Sequence, residues 1–261
     1  MQSLIGKVAI VTGSSAGIGK GIALKLASHG ARVVVTGRNI ETGQLVVDQI
    51  CSQGGEAIFF AADVLSLGDM HALAERAASR FGRIDILVAS AHGIPPTAST
   101  GPSSYFQNLE PVDVTETVSK VILAKLNPTK AVLSYMVPAN NGTILFITSE
   151  GGRFPTPGQT AVSIYAGGLV MMTKVLAKEV SRYKIRVNAI AVTLVQDTPS
   201  WERFQAKTDI DVSRFNKIIG KAPFGLAKPE DIADVAAFLV SDQAAFITGT
   251  TVSPTGGVTF S

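Results

Sequence analysis

The sequence predicts one α/β domain over residues 1–261, a doubly wound parallel sheet with helices on both faces. Three observations predict it. Short runs rich in Val and Ile alternate with longer amphipathic stretches, the pattern of parallel strands joined by right-handed helical crossovers. The short runs are apolar at successive positions, as in strands covered on both faces. A hydrophobic fraction of 46% against 16% charged residues suits a chain of 261 residues that buries a large core.

The elements follow in order. Lys7–Thr12 is a continuous apolar run and reads as the first strand. Gly17–His29 places Ile18, Ile22 and Leu26 at helical spacing, and Ala31–Thr36 is the second strand. Glu41–Gln53 is helical and stops at Gly54-Gly55. Ala57–Ala61 is a strand, and Ser66–Phe81 a helix with Ser66 as its N-cap. Ile84–Ala89 is the fourth strand. Val112–Met136 reads as a long helix in spite of Pro128, and Thr143–Thr148 as a strand. Thr160–Tyr183 is helical, Arg186–Val192 a strand, Glu230–Val240 a helix entered through Pro229, and Thr250–Ser253 a short last strand. Two stretches interrupt the rhythm, about 93–111 and 193–223. Both follow strand C-termini, where open α/β sheets bind ligands, so both are expected on the substrate side. Trp201, Phe204, Phe215 and Phe224 suggest an apolar pocket there.

The formal charge of +3 comes from Lys and Arg interleaved with Asp and Glu, not from a basic stripe, which argues against a nucleic-acid partner. The single cysteine, Cys51, allows no intrachain disulfide and reads as a small packed residue. Cys/His spacing for a metal is absent, and none is expected. The N-terminus lacks a basic segment followed by an apolar one, and no apolar run approaches a membrane span, so a cytoplasmic protein is expected.

The chemistry begins between the first strand and first helix, at Thr12-Gly13-Ser14-Ser15-Ala16-Gly17-Ile18-Gly19. Glycines at 13, 17 and 19 serve a tight turn, close backbone approach to a pyrophosphate, and packing of helix on sheet. The anion then meets the unpaired N–H groups and dipole of a helix N-terminus. A Rossmann-type dinucleotide site is therefore expected. The second strand ends Val35-Thr36-Gly37-Arg38-Asn39, without the carboxylate that would bind a ribose 2′-hydroxyl. Arg38 is placed instead for a 2′-phosphate, which favours NADP(H) over NAD(H), with Ser14 and Ser15 as possible hydroxyl donors.

Nearly the whole chain resembles the short-chain dehydrogenase/reductase family. The glycine loop is similar to its cofactor loop, and Asp63-Val64 to the pair it sets against the adenine. Ile185-Arg186-Val187-Asn188-Ala189-Ile190, Pro223-Phe224-Gly225 and Pro229-Glu230-Asp231-Ile232-Ala233 match later segments. The resemblance implies hydride exchange with a nicotinamide, a small-molecule substrate, and a homodimer or homotetramer joined through the helices at 112–136 and 160–183, with Tyr135, Met171 and Met172 as contacts. It implies a serine, a tyrosine with a lysine four residues on, and an asparagine in the preceding helix.

Counting from the well-matched segments places the serine at Ser149 but the tyrosine, lysine and asparagine positions at Val162, Ala166 and Val121. The turn after the fourth strand, Ala89-Ser90-Ala91-His92-Gly93, departs from the family's Asn-Asn-Ala-Gly, although Ser90 and Ala91 keep the backbone place beside the nicotinamide. Replacement proton donors are Tyr165, three residues after Val162, and His92, whose imidazole titrates near neutrality; Lys125 is a weaker candidate. The reading is a divergent NADP(H)-dependent oxidoreductase for a small apolar carbonyl, alcohol or activated alkene. The alternative is a catalytically silent cofactor-binding sensor or assembly subunit. A non-redox lyase or isomerase on the same fold finds no triad or metal cluster to support it.

Overall fold

Five consecutive buried residues, Val8–Thr12, form β1, a strand apolar toward both faces of the sheet. The computed structural model describes residues 4–93, 105–205, 220 and 222–259. After β1 come α1 (Gly17–Ser28), β2 (Arg32–Gly37), α2 (Ile40–Ser52), β3 (Glu56–Ala61), α3 (Leu67–Phe81), β4 (Ile86–Ala89) and α4 (Pro111–Ala139). The chain continues through β5 (Gly142–Ser149), α5 (Thr160–Val180), β6 (Ile185–Val192), α6 (Pro199–Gln205), α7 (Pro229–Val240) and β7 (Thr251–Val252). All seven strands pair in parallel, in the order β3-β2-β1-β4-β5-β6-β7. The chain winds outward from β1 to β3, then crosses to β4 on β1's other side. The crevice above the C-terminal ends of β1 and β4 is thus the switch point where ligands of doubly wound sheets lie.

Strand alternation divides the core into two layers. Ala9, Val11, Val33 and Val35 pack with Ile22 and Leu26 of α1, Val46 and Ile50 of α2, and Ile232 and Ala236 of α7. Val8, Ile10, Val34 and Leu87 pack with Met70 and Leu73 of α3 and Val132 and Met136 of α4. Ser66 caps α3, its Oγ accepting from Asp69 N, as its sequence position predicts. Pro128 and Pro138 sit inside α4; lacking an N–H, Pro128 cannot donate to the carbonyl of Ala124, yet packing on α3 and α5 carries the helix past it.

Several expectations need correction. The fourth strand starts at Ile86, two residues later than expected. Cys51 is exposed, lying beside rather than on the buried face of α2 formed by Gly43, Val46, Val47 and Ile50. Phe224 is 88% exposed and belongs to no core. The stretch 193–223 contains α6, a helix the sequence reading omits; residues 94–104, 206–219 and 221, Phe215 among them, and the side chain of Phe204 lie outside the described residues. Thr160–Tyr183 is, by length and hydropathy alone, apolar enough to cross a membrane, contrary to the expectation of no such run. Its inner face packs on β5 and β6, and Lys174, Lys178, Glu179 and Arg182 punctuate the rest.

Asp85 ties the sheet's lower edge together. Buried to 3% exposure, it accepts from Val8 N (2.9 Å), Asn141 Nδ2 (3.1 Å) and both Nε and Nη2 of Arg83. Asp85→Ala would leave the Val8 N–H buried and unpaired, so it is expected to cost about 1–3 kcal/mol in a urea titration; a loss under about 0.5 kcal/mol would show that water replaces the carboxylate.

Candidate functional site

The glycine loop leaves β1 with Gly13 at φ 67° and enters α1 through Gly17 at φ 53°, both in the left-handed region. A Cβ at Gly13 would stand 2.9 Å from Ala91 Cα, and one at Gly19 2.3 Å from the carbonyl oxygen of Gly13. The loop is therefore folded tightly against both the exit of β4 and its own helix. Thr198-Pro199 closes over Gly17, with Pro199 Cδ 3.3 Å from where a Cβ would be.

The first turn of α1 contains no acidic residue, and its N-cap, Ala16, offers no side-chain acceptor. Those N–H groups suit an external anion, so the donor set and the glycine cradle fit a pyrophosphate. Ser15 is half-buried beside Gly37. Ser14 is committed inward: its hydroxyl donates to Val11 O (2.6 Å) and accepts from Thr36 N (3.0 Å), fixing the loop to β1 and β2. Arg38 is exposed at the end of β2, next to Asn39, which caps α2. Asp63 Oδ1 accepts from Leu65 N, and Val64 O accepts from Asn127 Nδ2 of α4.

Across the crevice, Ser149 ends β5 and its Oγ accepts from Gly151 N (3.2 Å). The following 3-10 turn, Glu150–Gly152, lies directly on α5. A Cβ at Gly152 would be 2.4 Å from the carbonyl carbon of Ala166, and one at Gly151 2.9 Å from Val162 Cγ1. Val162 and Ala166 are buried with Val121, Tyr165 and Leu169 in one apolar cluster between α4 and α5. Glu150 turns away into the protein, where it accepts from Ser253 Oγ and Thr259 Oγ1 and faces Arg153.

One polar pair breaks that apolar cluster. His92 Nε2 lies 3.2 Å from Tyr165 Oη, with the rings edge-to-face at a centroid distance of 5.3 Å. Burial raises the Tyr165 phenol above its ordinary value, so it stays protonated at neutral pH. Although part of His92 is exposed, desolvation of the ring, followed by the Lys125 and Arg203 cations, lowers its pKa and leaves the imidazole neutral. Lys125 lies fully buried behind the turn, and its Nζ donates to Ala89 O (2.7 Å) and Ala91 O (2.8 Å). Desolvation pushes its ammonium down to about 7.

A family model described as enoyl-(acyl carrier protein) reductase matches residues 13–259, from the glycine loop to the tail after β7. The chain belongs to the short-chain dehydrogenase/reductase family. Among curated relatives it is 30% identical over 256 residues to the 3-oxoacyl-[acyl-carrier-protein] reductase FabG of Thermotoga maritima, covering 98% of each chain. It is 34% identical over 263 residues to the oxidoreductase UcpA of Escherichia coli, covering 99% of this chain and 97% of the relative. Among solved structures it is similar to a 7α-hydroxysteroid dehydrogenase complexed with NADH and 7-oxoglycochenodeoxycholic acid (TM-score 0.86, 29% identity, 98% of this chain and 95% of the other). It is also similar to a putative short-chain alcohol dehydrogenase of Sinorhizobium meliloti (TM-score 0.85, 30% identity, 98% of each).

This short-chain dehydrogenase/reductase therefore brings His92 and Tyr165 together, keeps Ser149 at the end of β5, and leaves Arg38 on the opposite flank of the glycine loop. Lys174, two turns beyond Ala166 on α5, is exposed. Sequence reasoning missed Thr198-Pro199 over Gly17 and the donation of Ala91 N to Thr12 Oγ1 (3.2 Å). The adjacent glycines 151 and 152, directly after Ser149, were a legible sign of backbone pressed against a helix.

Proposed function

We propose that this chain is an NADP(H)-dependent oxidoreductase in which His92 and Tyr165 handle the proton that a tyrosine at position 162 and a lysine at 166 would otherwise handle. The observation that carries the reading is the His92–Tyr165 hydrogen bond at the C-terminal end of β4. It is the polar contact that penetrates the apolar cluster around Val121, Val162 and Ala166. Its supports are the cradle at Gly13, Gly17 and Gly19 and a set of relatives named as reductases and dehydrogenases.

When bound, the nicotinamide supplies or takes up a hydride equivalent at the substrate carbon. The chain's residues do the rest. The N–H groups at Gly17, Ile18 and Gly19 hold the pyrophosphate, with Ser15 at the rim and Ser14 bracing the loop. Arg38 pairs with the 2′-phosphate, Asp63 and Val64 border the adenine, and the backbone at Ser90 and Ala91 borders the nicotinamide. Ser149 keeps its hydroxyl proton for a substrate oxygen, because the oxygen itself accepts from Gly151 N. The substrate is a small apolar carbonyl, alcohol or activated alkene. Reduction of a conjugated alkene delocalises charge into an enolate, which depends less on immediate protonation than an alkoxide does. That suits Tyr165, a weaker acid than an ordinary phenol.

Exposed Leu123, Leu126, Ile164, Met171 and Val175 on α4 and α5 support a homodimer or homotetramer through those helices.

The test is NADPH binding by fluorescence, followed by turnover over a panel of ketones, aldehydes and enones. NADPH binding with turnover of one class is expected. Binding without turnover anywhere on the panel would instead establish a silent cofactor sensor. Arg38→Ala is expected to weaken NADPH about tenfold or more while leaving NADH nearly unchanged. Equal losses for both cofactors in parallel titrations would remove Arg38 from the 2′-phosphate.

A further inference from the structure

Lys125 is fully buried beside the site, and the proposed reaction gives it no task. A buried ammonium normally stands beside a carboxylate. Here no acidic side chain among the described residues raises its pKa. Its partners are two backbone carbonyls on either side of Ser90, at 2.7 and 2.8 Å. Two donors suffice for both bonds, and a neutral amine has two N–H groups, so the clamp survives loss of the charge. The same turn is held elsewhere by Ala91 N on Thr12 Oγ1 and by Gly93, where a Cβ would stand 2.7 Å from Lys120 O. His92 lies between these fixed points and reaches Tyr165.

We infer that Lys125 is a positioning residue for His92, clamping the turn after β4 through the Ala89 and Ala91 carbonyls so that the imidazole meets the Tyr165 hydroxyl. The inference rests on the proton-handling role proposed for that pair. It explains why a lysine is kept in an apolar interior where methionine would pack at lower cost. Among the described residues, the charged and titratable groups facing His92 are Lys125 on α4, Tyr165 on α5 and Arg203 on α6. Lys125 therefore acts on His92 twice, through the turn and through its field.

The experiment is a titration of the His92 ring by nitrogen-15 NMR in the full chain, with His29 and His71 distinguished by a His92→Asn control. In the wild type, the His92 ring shift is expected to move a second time between about pH 6 and 8, as Lys125 titrates. A flat response across that window overturns the coupling without any variant having to fold. In Lys125→Met, the His92 pKa is expected to rise by about half a unit or more, through loss of a nearby cation, and kcat to fall about tenfold or more with NADPH affinity held within about threefold. A folded Lys125→Met chain with unchanged His92 pKa and kcat within twofold overturns the role. Because the NMR readout needs no turnover, a coupled His92 in a chain that turns over nothing would defeat the proposed reaction and leave the positioning intact.

Discussion

Gly19→Ala is expected to weaken NADPH binding by about 10- to 100-fold and to lower the melting temperature. The added methyl carbon would lie 2.3 Å from the carbonyl oxygen and 2.8 Å from the carbonyl carbon of Gly13, both backbone atoms with no rotamer to change. Relief requires the glycine loop to part from the start of α1. Overpacking of this kind costs about 1–3 kcal/mol. Where the loop can open, the cost appears in binding, at about tenfold per 1.4 kcal/mol. Where it cannot, the cost appears in folding, so a fluorescence titration and a thermal melt together capture both. Gly168→Ala is the control. Nothing lies within 4 Å of a Cβ there, the backbone is helical, and the change is expected to be neutral or stabilising by up to about 1 kcal/mol. A Gly19→Ala chain that binds and melts like the control would show that the dinucleotide lies elsewhere.

The fold was legible because its strands carry a local signal. Val8–Val11, Val33–Val35 and Ile144–Ile147 are apolar at successive positions, as strands of a sheet covered on both faces are. The first flank of the site was legible for a related reason: Gly13, Gly17 and Gly19 are contiguous in sequence, and their spacing is the geometry. The second flank joins residues 73 positions apart, His92 and Tyr165. Each was a candidate alone, but no periodicity places the end of β4 against the fifth helix at that distance. Lys125 was harder still. The sequence offers it as a weaker candidate proton donor, and its carbonyl partners on the turn after β4 are visible only in the structure. The buried face of α2 shows the limit in the other direction, since Cys51 follows buried Ile50 by one position and that rotation exposes it.

Tyr165→Phe removes one oxygen and nothing else: the ring remains in its cluster and keeps its edge-to-face contact with His92. If the hydroxyl exchanges the substrate's proton, kcat is expected to fall by about 10²–10⁴ while NADPH affinity and melting temperature stay close to wild type. His92→Asn is expected to cost a comparable factor, and the double variant little more than the worse single one, because residues acting as one relay are not additive. The pH dependence follows from the directions of the two shifts. Tyr165, raised by burial, holds its proton through the neutral range. His92, lowered by desolvation and nearby cations, stays neutral until acid protonates it, so turnover should decline only below the ordinary imidazole range. Loss of His92 should remove that acid limb. A Tyr165→Phe chain with wild-type kcat would leave Ser149 as the one hydroxyl of the proposed set in the pocket. A neutral serine, with no base or cation among its described partners, cannot supply the missing acid–base factor. The proton would then have to come from water, and the substrate would be one whose reduction does not need a positioned acid.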